Sequence, residues 1–234
     1  MLGSFAVAKV VGVIGGMGPA ATVDFMSKVI AMTPAKIDQD HVHMIVDNNP
    51  AVPDRQAALA GNGEDPGTVL ADMARGLERS GADFLVMPCN TAHAWVDEIR
   101  AAVSIPLVSI IDETVAACAE HRVAGLLSTA GCLKSRVYQD GLAAGGKQVV
   151  LPTDDELAEI MSLVFRVKAG DEGEDLVAGM AAIANALVTR GADVVIAGCT
   201  EIPLVLEAAR VGVPVVLSTD VLAAATIARC AAMR

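Results

Sequence analysis

The feature that most constrains this 234-residue chain is that it repeats itself. The segment RSGADFLVMPCNT (79–91) resembles TRGADVVIAGCTE (189–201), with Gly, Ala, Asp and Cys each displaced by 110 positions. KVVGVIGGMGPAAT (9–22) likewise resembles RVAGLLSTAGCLKS (122–135), pairing Gly12 with Gly125 and Gly18 with Gly131. After each cysteine comes a third match, Ile105-Pro106-Leu107-Val108 against Val213-Pro214-Val215-Val216. One such match between buried strands carries little weight, because apolar strands converge in composition; three in the same order indicate a duplicated unit.

Within each unit, apolar runs bounded by Gly or Pro alternate with longer stretches of helical period, the pattern of βαβ units around a mostly parallel sheet. Strands are predicted near 9–14, 43–47, 83–87, 105–109, 122–127, 148–151, 193–197 and 213–217. Helices are predicted near 19–32, 66–80, 91–103, 111–119, 133–144, 154–168, 174–190, 202–210 and 219–232. A core must be assembled from aliphatic side chains, since 53% of residues are hydrophobic but only 3% aromatic, which suits helices packed on a sheet. The expected fold is α/β: two similar Rossmann-like halves with mostly parallel sheets, related by a pseudo-two-fold axis, with the active site between them. In such sheets ligands sit outside the carboxyl ends of the strands, and Cys89 and Cys199 fall at two of those ends.

Paired thiols suggest a reaction. Each cysteine follows an apolar strand and precedes a predicted helix, whose free N–H groups and dipole favour a thiolate below the usual pKa of ~8.5. One thiolate can remove a proton from carbon while the facing thiol returns one on the opposite side, inverting the centre. Enantiomers present their α-hydrogens to opposite faces of one site, so a duplicated base fits better than a single nucleophile. Cys118 and Cys230 lie in Ala-rich helical stretches and read as inert packing; Cys132 lies in the second glycine loop. The odd count of five cysteines, without dense spacing, fits reduced thiols in a cytoplasm.

Other readings explain less. Gly16, Gly18 and Ala21 fit a G-x-G-x-x-A dinucleotide fingerprint with Asp38 and Asp40 downstream, yet that reading leaves the repeated cysteines unused. Cys89 with His93, and Cys118 with His121, each offer one thiol and one imidazole without a second close pair, so no metal is expected; His93 reads as a capping or packing residue. A net charge of −11 with no basic run disfavours nucleic acid and anionic membranes. The apolar N-terminus, broken by Lys9, reads as a first strand rather than a signal peptide, and no later run reaches the ~18 apolar residues of a membrane span. A non-catalytic binder of small acids would need the cleft but not two titratable thiols.

VIGGMGPAAT, DNNPAVPDR, MPCNTAHAW, STAGCLKSRVYQ, VKAG and AGCTEIPL together resemble the aspartate/glutamate racemase family, over nearly the whole chain and most closely in its aspartate racemase branch. The resemblance implies racemisation of an acidic amino acid, aspartate before glutamate, with no pyridoxal phosphate, metal or other cofactor. A broad-specificity amino-acid racemase is the alternative, as is an isomerase or decarboxylase of small dicarboxylates on the same scaffold. By resemblance Cys89 and Cys199 are the acid/base pair, and Arg55 and Lys168 hold substrate carboxylates, a planar fork and a compact charge respectively. Asn48, Asn49, Asn90, Thr91, Thr129, Thr200, Gly16, Met17 and Gly131 are the remaining expected contacts. Glu201 stands where glutamate racemases resemble one another in having His, which points away from glutamate and places an acid beside Cys199. Cys132 stands where the family often has Thr, implying a weaker contact to substrate. The family also implies a homodimer, and halves of 1–117 plus 218–234, carrying Cys89, and 118–217, carrying Cys199.

Overall fold

A computed structural model describes residues 9–171 and 173–231. Among these residues, eight strands form two separate four-stranded sheets, parallel throughout. The first half contains β1 (Val11–Gly15), α1 (Pro19–Met32), β2 (Met44–Asn48), α2 (Arg55–Ala60), α3 (Gly67–Arg79), β3 (Phe84–Val86), α4 (Val96–Ala102), β4 (Leu107–Val108) and α5 (Ile110–Ala117). The second contains β5 (Val123–Leu127), α6 (Ala130–Ser135), α7 (Val137–Ala144), β6 (Gln148–Val150), α8 (Asp154–Lys168), α9 (Glu174–Thr189), β7 (Val194–Ala197) and β8 (Val215–Leu217), after which α10 (Ser218–Ala231) follows directly. Strand order is β2-β1-β3-β4 in one sheet and β6-β5-β7-β8 in the other, so each half is wound the same way.

The repeat is physical as well as textual. Asp83 accepts a hydrogen bond from Val10 N–H at 2.7 Å, and Asp193, its counterpart, accepts from Arg122 N–H at 3.0 Å and Val123 N–H at 3.2 Å. In both halves a carboxylate thus pins the start of the central strand. Gly12 and Gly125 sit where those strands are crossed by a helix. A Cβ on Gly12 would lie 2.9 Å from Ala82 Cβ and 3.1 Å from Leu77 Cβ, and one on Gly125 would meet Ala192 and Leu187, the equivalent pair, at 3.0 and 2.9 Å. The same absence of a side chain lets helix and sheet approach in each copy.

Each sheet has a private core on one face, with Leu70, Met73, Leu77 and Ile99 packing the first and Leu176, Met180, Ile183 and Leu187 the second. Between the sheets runs a shared core that takes Val11, Val13 and Val86 from one half and Leu126, Val194 and Ile196 from the other, closed by Tyr138, Leu142 and Leu222. Cys118, Cys132 and Cys230 are buried in it. Although α10 leaves β8 of the second sheet, it packs on α1 and α5, where Lys28 of α1 bridges Asp24 at 2.8 Å and Asp220 at 2.7 Å.

Three predicted helices form differently. Residues 91–103 divide into a 3-10 turn, Thr91–Trp95, and then α4. The cause is His93, whose ring occupies the Cys89 carbonyl that a helical backbone N–H would have used; His93 N–H bonds Asn90 O instead, at 3.1 Å. Residues 202–210 form two 3-10 turns, Ile202–Leu204 and Ala208–Arg210, separated by extended backbone at Glu207, with Ile202, Val205 and Leu206 drawn into the second private core. Residues 133–144 start earlier, at Ala130, and break at Arg136, which takes φ 61° between α6 and α7. One helix was not anticipated: α2, started by Asp54, whose carboxylate accepts from Ala57 N–H at 2.7 Å, and stopped by Gly61 at φ 88°. An N-cap Asp, a run of good helix formers and a following Gly were the signals available for it.

Candidate active site

One cleft gathers the carboxyl ends of strands from both halves. It is lined by Met17 after β1, Asp54, Arg55 and Gln56 after β2, and Cys89, Asn90 and Thr91 after β3. From the second half come Thr129 after β5, Lys168 at the end of α8, and Cys199, Thr200 and Glu201 after β7. Both thiols face it while nearly buried, Cys89 at 5% and Cys199 at 7% exposure.

Sequence reasoning expected both thiols to be acidified, and the structure reverses this. Burial pushes Cys89 up, opposed by the Arg55 guanidinium and by an N–H hydrogen bond from Ala92. Burial pushes Cys199 well above its ordinary value, and the Glu201 carboxylate adds to the rise. The short 3-10 turns after each cysteine offer single N–H groups rather than a full helix end, and desolvation outweighs them. Cys199 Sγ donates to Glu201 Oε2 at 3.0 Å, so Cys199 is held as the thiol and Cys89, beside a cation, is the thiol from which a proton is more easily lost.

Glu201 is 3% exposed and nowhere isolated. Its Oε1 accepts from Gly18 N–H at 3.3 Å and lies 3.7 Å from Lys168 Nζ, while Thr200 Oγ1 lies 3.4 Å from its Oε2. Arg55 Nη1 donates to the Val52 and Pro53 carbonyls at 3.1 and 3.0 Å, which steadies the guanidinium at the cleft wall. Asn90 is 2% exposed, and both ends of its amide are engaged: Tyr138 OH donates to Oδ1 at 2.5 Å and Nδ2 donates to Ser218 Oγ at 3.1 Å. That chain crosses from one half to the other beneath the cleft.

Other expected contacts lie elsewhere. Asn48 is exposed at the end of β2, and Asn49 caps its own turn, its side-chain Oδ1 accepting from Ala51 N–H at 3.0 Å. Gly16 is pressed against the Asn49 backbone behind the cleft wall. Gly131 N–H is taken by Gln56 Oε1 at 2.6 Å. Cys132 does not touch the cleft: it is fully buried in the shared core, where burial raises its thiol to about 12, so the expected weak substrate contact is replaced by packing. Its side chain points away because α6 starts at Ala130 and turns this position inward. Gln56, next to Arg55, was missed; only its adjacency to the PDR motif hinted at it.

His93, which the sequence marks as a capping or packing residue, does both. Ile110 N–H donates to its Nε2 at 3.3 Å, so Nε2 must be unprotonated, and Nδ1–H donates to Cys89 O at 2.8 Å. The neutral ring thereby ties the Cys89 loop to the start of α5, and burial lowers its pKa to about 4. Since the unfolded value is ~6.5, the contribution to stability is complete above that pH and is lost as pH falls through about 4. The expected loss is ~3 kcal/mol across that window. Urea unfolding of His93→Gln, which cannot titrate, should show a shallower decline over the same range; parallel curves for the two proteins would contradict the assignment.

The profile of the Asp/Glu/Hydantoin racemase family matches residues 14–226. The chain belongs to that family. An aspartate racemase from Picrophilus torridus superposes with a TM-score of 0.86 at 33% identity, covering 95% of this chain and 94% of that one. An aspartate racemase homologue from Pyrococcus horikoshii OT3 gives 0.77 at 26% identity over 95% and 99% of the respective chains. Among curated sequences, a broad specificity amino-acid racemase, RacX, of Bacillus subtilis (strain 168) is 29% identical over 224 residues, 93% of this chain and 96% of the relative. Among the described residues, no helix is long and apolar enough to cross a membrane.

Proposed function

We propose that this member of the family racemises an acidic amino acid, aspartate before glutamate, by two-base proton transfer between Cys89 and Cys199 without a cofactor. The observation that carries the reading is that two equivalent strand ends, β3 and β7, bring their cysteines into one cleft with Arg55 and Lys168. Arg55 and Lys168 engage the carboxylates, and the cations stabilise the negative charge that develops when the α-proton leaves. The Cys89 thiolate takes that proton, breaking the C–H bond; Cys199 delivers its own from the other face, and its new negative charge falls beside Lys168. The reverse direction exchanges the roles. Met17, Asn90, Thr91, Thr129 and Thr200 complete the cleft wall around the substrate backbone.

Incubating the purified protein with a panel of L-amino acids in deuterated water tests this, reading α-carbon deuterium by NMR and handedness by chiral chromatography. Aspartate should both exchange and racemise; a ligand that binds without exchange would mark the protein as a non-catalytic binder and end the proposal.

A broad-specificity reading is favoured by one contact: Lys168 is already answered by Glu201 at 3.7 Å, which leaves less charge for a second carboxylate. Lys168→Ala separates the readings. If Lys168 serves the side-chain carboxylate, kcat/KM for aspartate should fall by roughly tenfold or more beyond the fall for alanine or serine, the worth of a charge-assisted hydrogen bond. Equal losses would move Lys168 to a structural role.

The same reading assigns residues 1–117 with 218–234 to one half and 118–217 to the other, supported by α10 packing on α1 and α5. It also takes the enzyme to be a cytoplasmic homodimer. Free Cys89, Cys118, Cys132, Cys199 and Cys230 suit a reducing compartment, and the exposed Val23, Ile30, Met32 and Ile37 on and beside α1 offer a second copy an apolar face.

A further inference from the structure

The helix α6 begins without help from its own N-cap, since the Thr129 side chain makes no capping hydrogen bond. The partner comes from the opposite half. Gly131 N–H donates to Gln56 Oε1 at 2.6 Å, and Gln56 Nε2 donates to Thr129 Oγ1 at 3.0 Å. The same Nε2 lies 3.5 Å from Thr91 Oγ1, and the Thr91 and Thr129 hydroxyls are 3.1 Å apart. A single amide therefore joins α2, the loop after β3 and the start of α6, across the mouth of the cleft.

The element that carries this amide is otherwise held mainly by Ala58 and Leu59, partly buried against the first private core. Six residues long, α2 contains no buried residue, and a helix that short is not stable by itself in water. Leu59, which lies against the place where a Gly131 Cβ would stand, adds a partial apolar contact. Arg55 is the first residue of the same helix. Where α2 docks, the guanidinium docks with it.

We infer that Gln56 is a positioning residue, a latch that fastens α2 to the second half so that Arg55 and the Thr91 and Thr129 hydroxyls take their places around substrate together. This rests on the proposed racemase reading for its kinetic consequence, though not for the latch itself. Because Gln56 acts through where Arg55 sits and touches no reacting atom, its loss falls mainly on KM, with a smaller fall in kcat through the charge that Arg55 stabilises beside Cys89.

Gln56→Ala should raise KM for aspartate about tenfold, the net effect of losing the bonds to Gly131 and Thr129, with a smaller fall in kcat. Gly131→Ala supplies an independent route, since its Cβ would stand 2.6 Å from Gln56 Oε1 and push the amide out while leaving Gln56 in the chain; it should give the same KM-weighted defect. In a Thr129→Val background, Gln56→Ala should add much less than it does in the parent. Gln56→Glu, which keeps the acceptor for Gly131 N–H but cannot donate to Thr129, should fall between parent and Gln56→Ala. Hydrogen exchange of residues 55–60 in the ligand-free protein should speed up several-fold in Gln56→Ala and Gly131→Ala. An unchanged KM in an active Gln56→Ala enzyme, or a kcat loss with KM intact, overturns the inference. So does unaltered exchange of α2, which decides the latch even where the parent protein racemises nothing.

Discussion

Cys89→Ala and Cys199→Ala are each expected to lower racemisation by about 10²–10⁴-fold, the contribution of a positioned acid or base, while leaving the fold intact. Alanine at either site removes one sulfur from a wall that is already buried, and neither thiol ties its half to the other. Cys199 bonds only its near neighbour Glu201, and the Cys89 loop is held by the His93 ring through the backbone carbonyl. The two variants should differ in what survives. Cys199→Ala keeps the thiol beside Arg55, so it should still exchange the α-proton of one enantiomer with solvent, without returning a proton to the far face. Cys89→Ala keeps only the thiol that burial and Glu201 hold protonated, so residual exchange should be slower and restricted to the opposite enantiomer. Separate L- and D-aspartate incubations in deuterated water, followed by NMR, read this directly. Full racemisation in either variant, or exchange of both enantiomers in both, would remove the two-base assignment.

The second large effect concerns stability. Gly16 lies behind the cleft wall at φ 94°, and a Cβ there would sit 2.3 Å from the Asn49 carbonyl carbon and oxygen and 2.5 Å from its nitrogen. Those are backbone atoms, and they are tethered: Asn49 N–H donates to Gly15 O at 3.3 Å, while Gly16 N–H donates to Thr22 Oγ1 at 2.9 Å. Left-handed backbone costs a non-glycine residue ~1–3 kcal/mol, and overpacking adds typically ~1–3 kcal/mol. Gly16→Ala is therefore expected to destabilise the protein by roughly 3–5 kcal/mol, read as a lower urea midpoint with an unchanged slope. The contrasting control is Gly76→Ala in α3, where nothing stands within 4 Å of a new Cβ and the helix gains a better former. Equal midpoints for the two variants would show that the Gly16 contact relaxes freely.

Much of this architecture is legible before folding because a duplicated chain supplies its own comparison. The pairs Gly12/Gly125, Asp83/Asp193 and Cys89/Cys199 could be aligned as letters, and each has one physical reason in both halves: close helix approach, a pinned strand start, a strand-end thiol in the cleft. Strands are read well for the same reason, since a buried parallel strand is a short apolar run whatever its neighbours. Short helices are read poorly. In 91–103 local propensity was overridden by a buried ring, in 202–210 the backbone turns extended at Glu207, and α2 has caps but no apolar face for a periodicity to register.

The sequence by itself determined the duplicated α/β plan, the two cysteines at equivalent strand ends and, through its motifs, the family to which the chain belongs, because all three depend on local pattern and on order along the chain. Only the tertiary structure decided that Cys132 belongs to the core, that burial raises both thiols, that Glu201 pairs with Lys168, and that Gln56 reaches across to Thr129 and Gly131. Each of those depends on desolvation or on contacts between residues far apart in sequence, which no local pattern encodes.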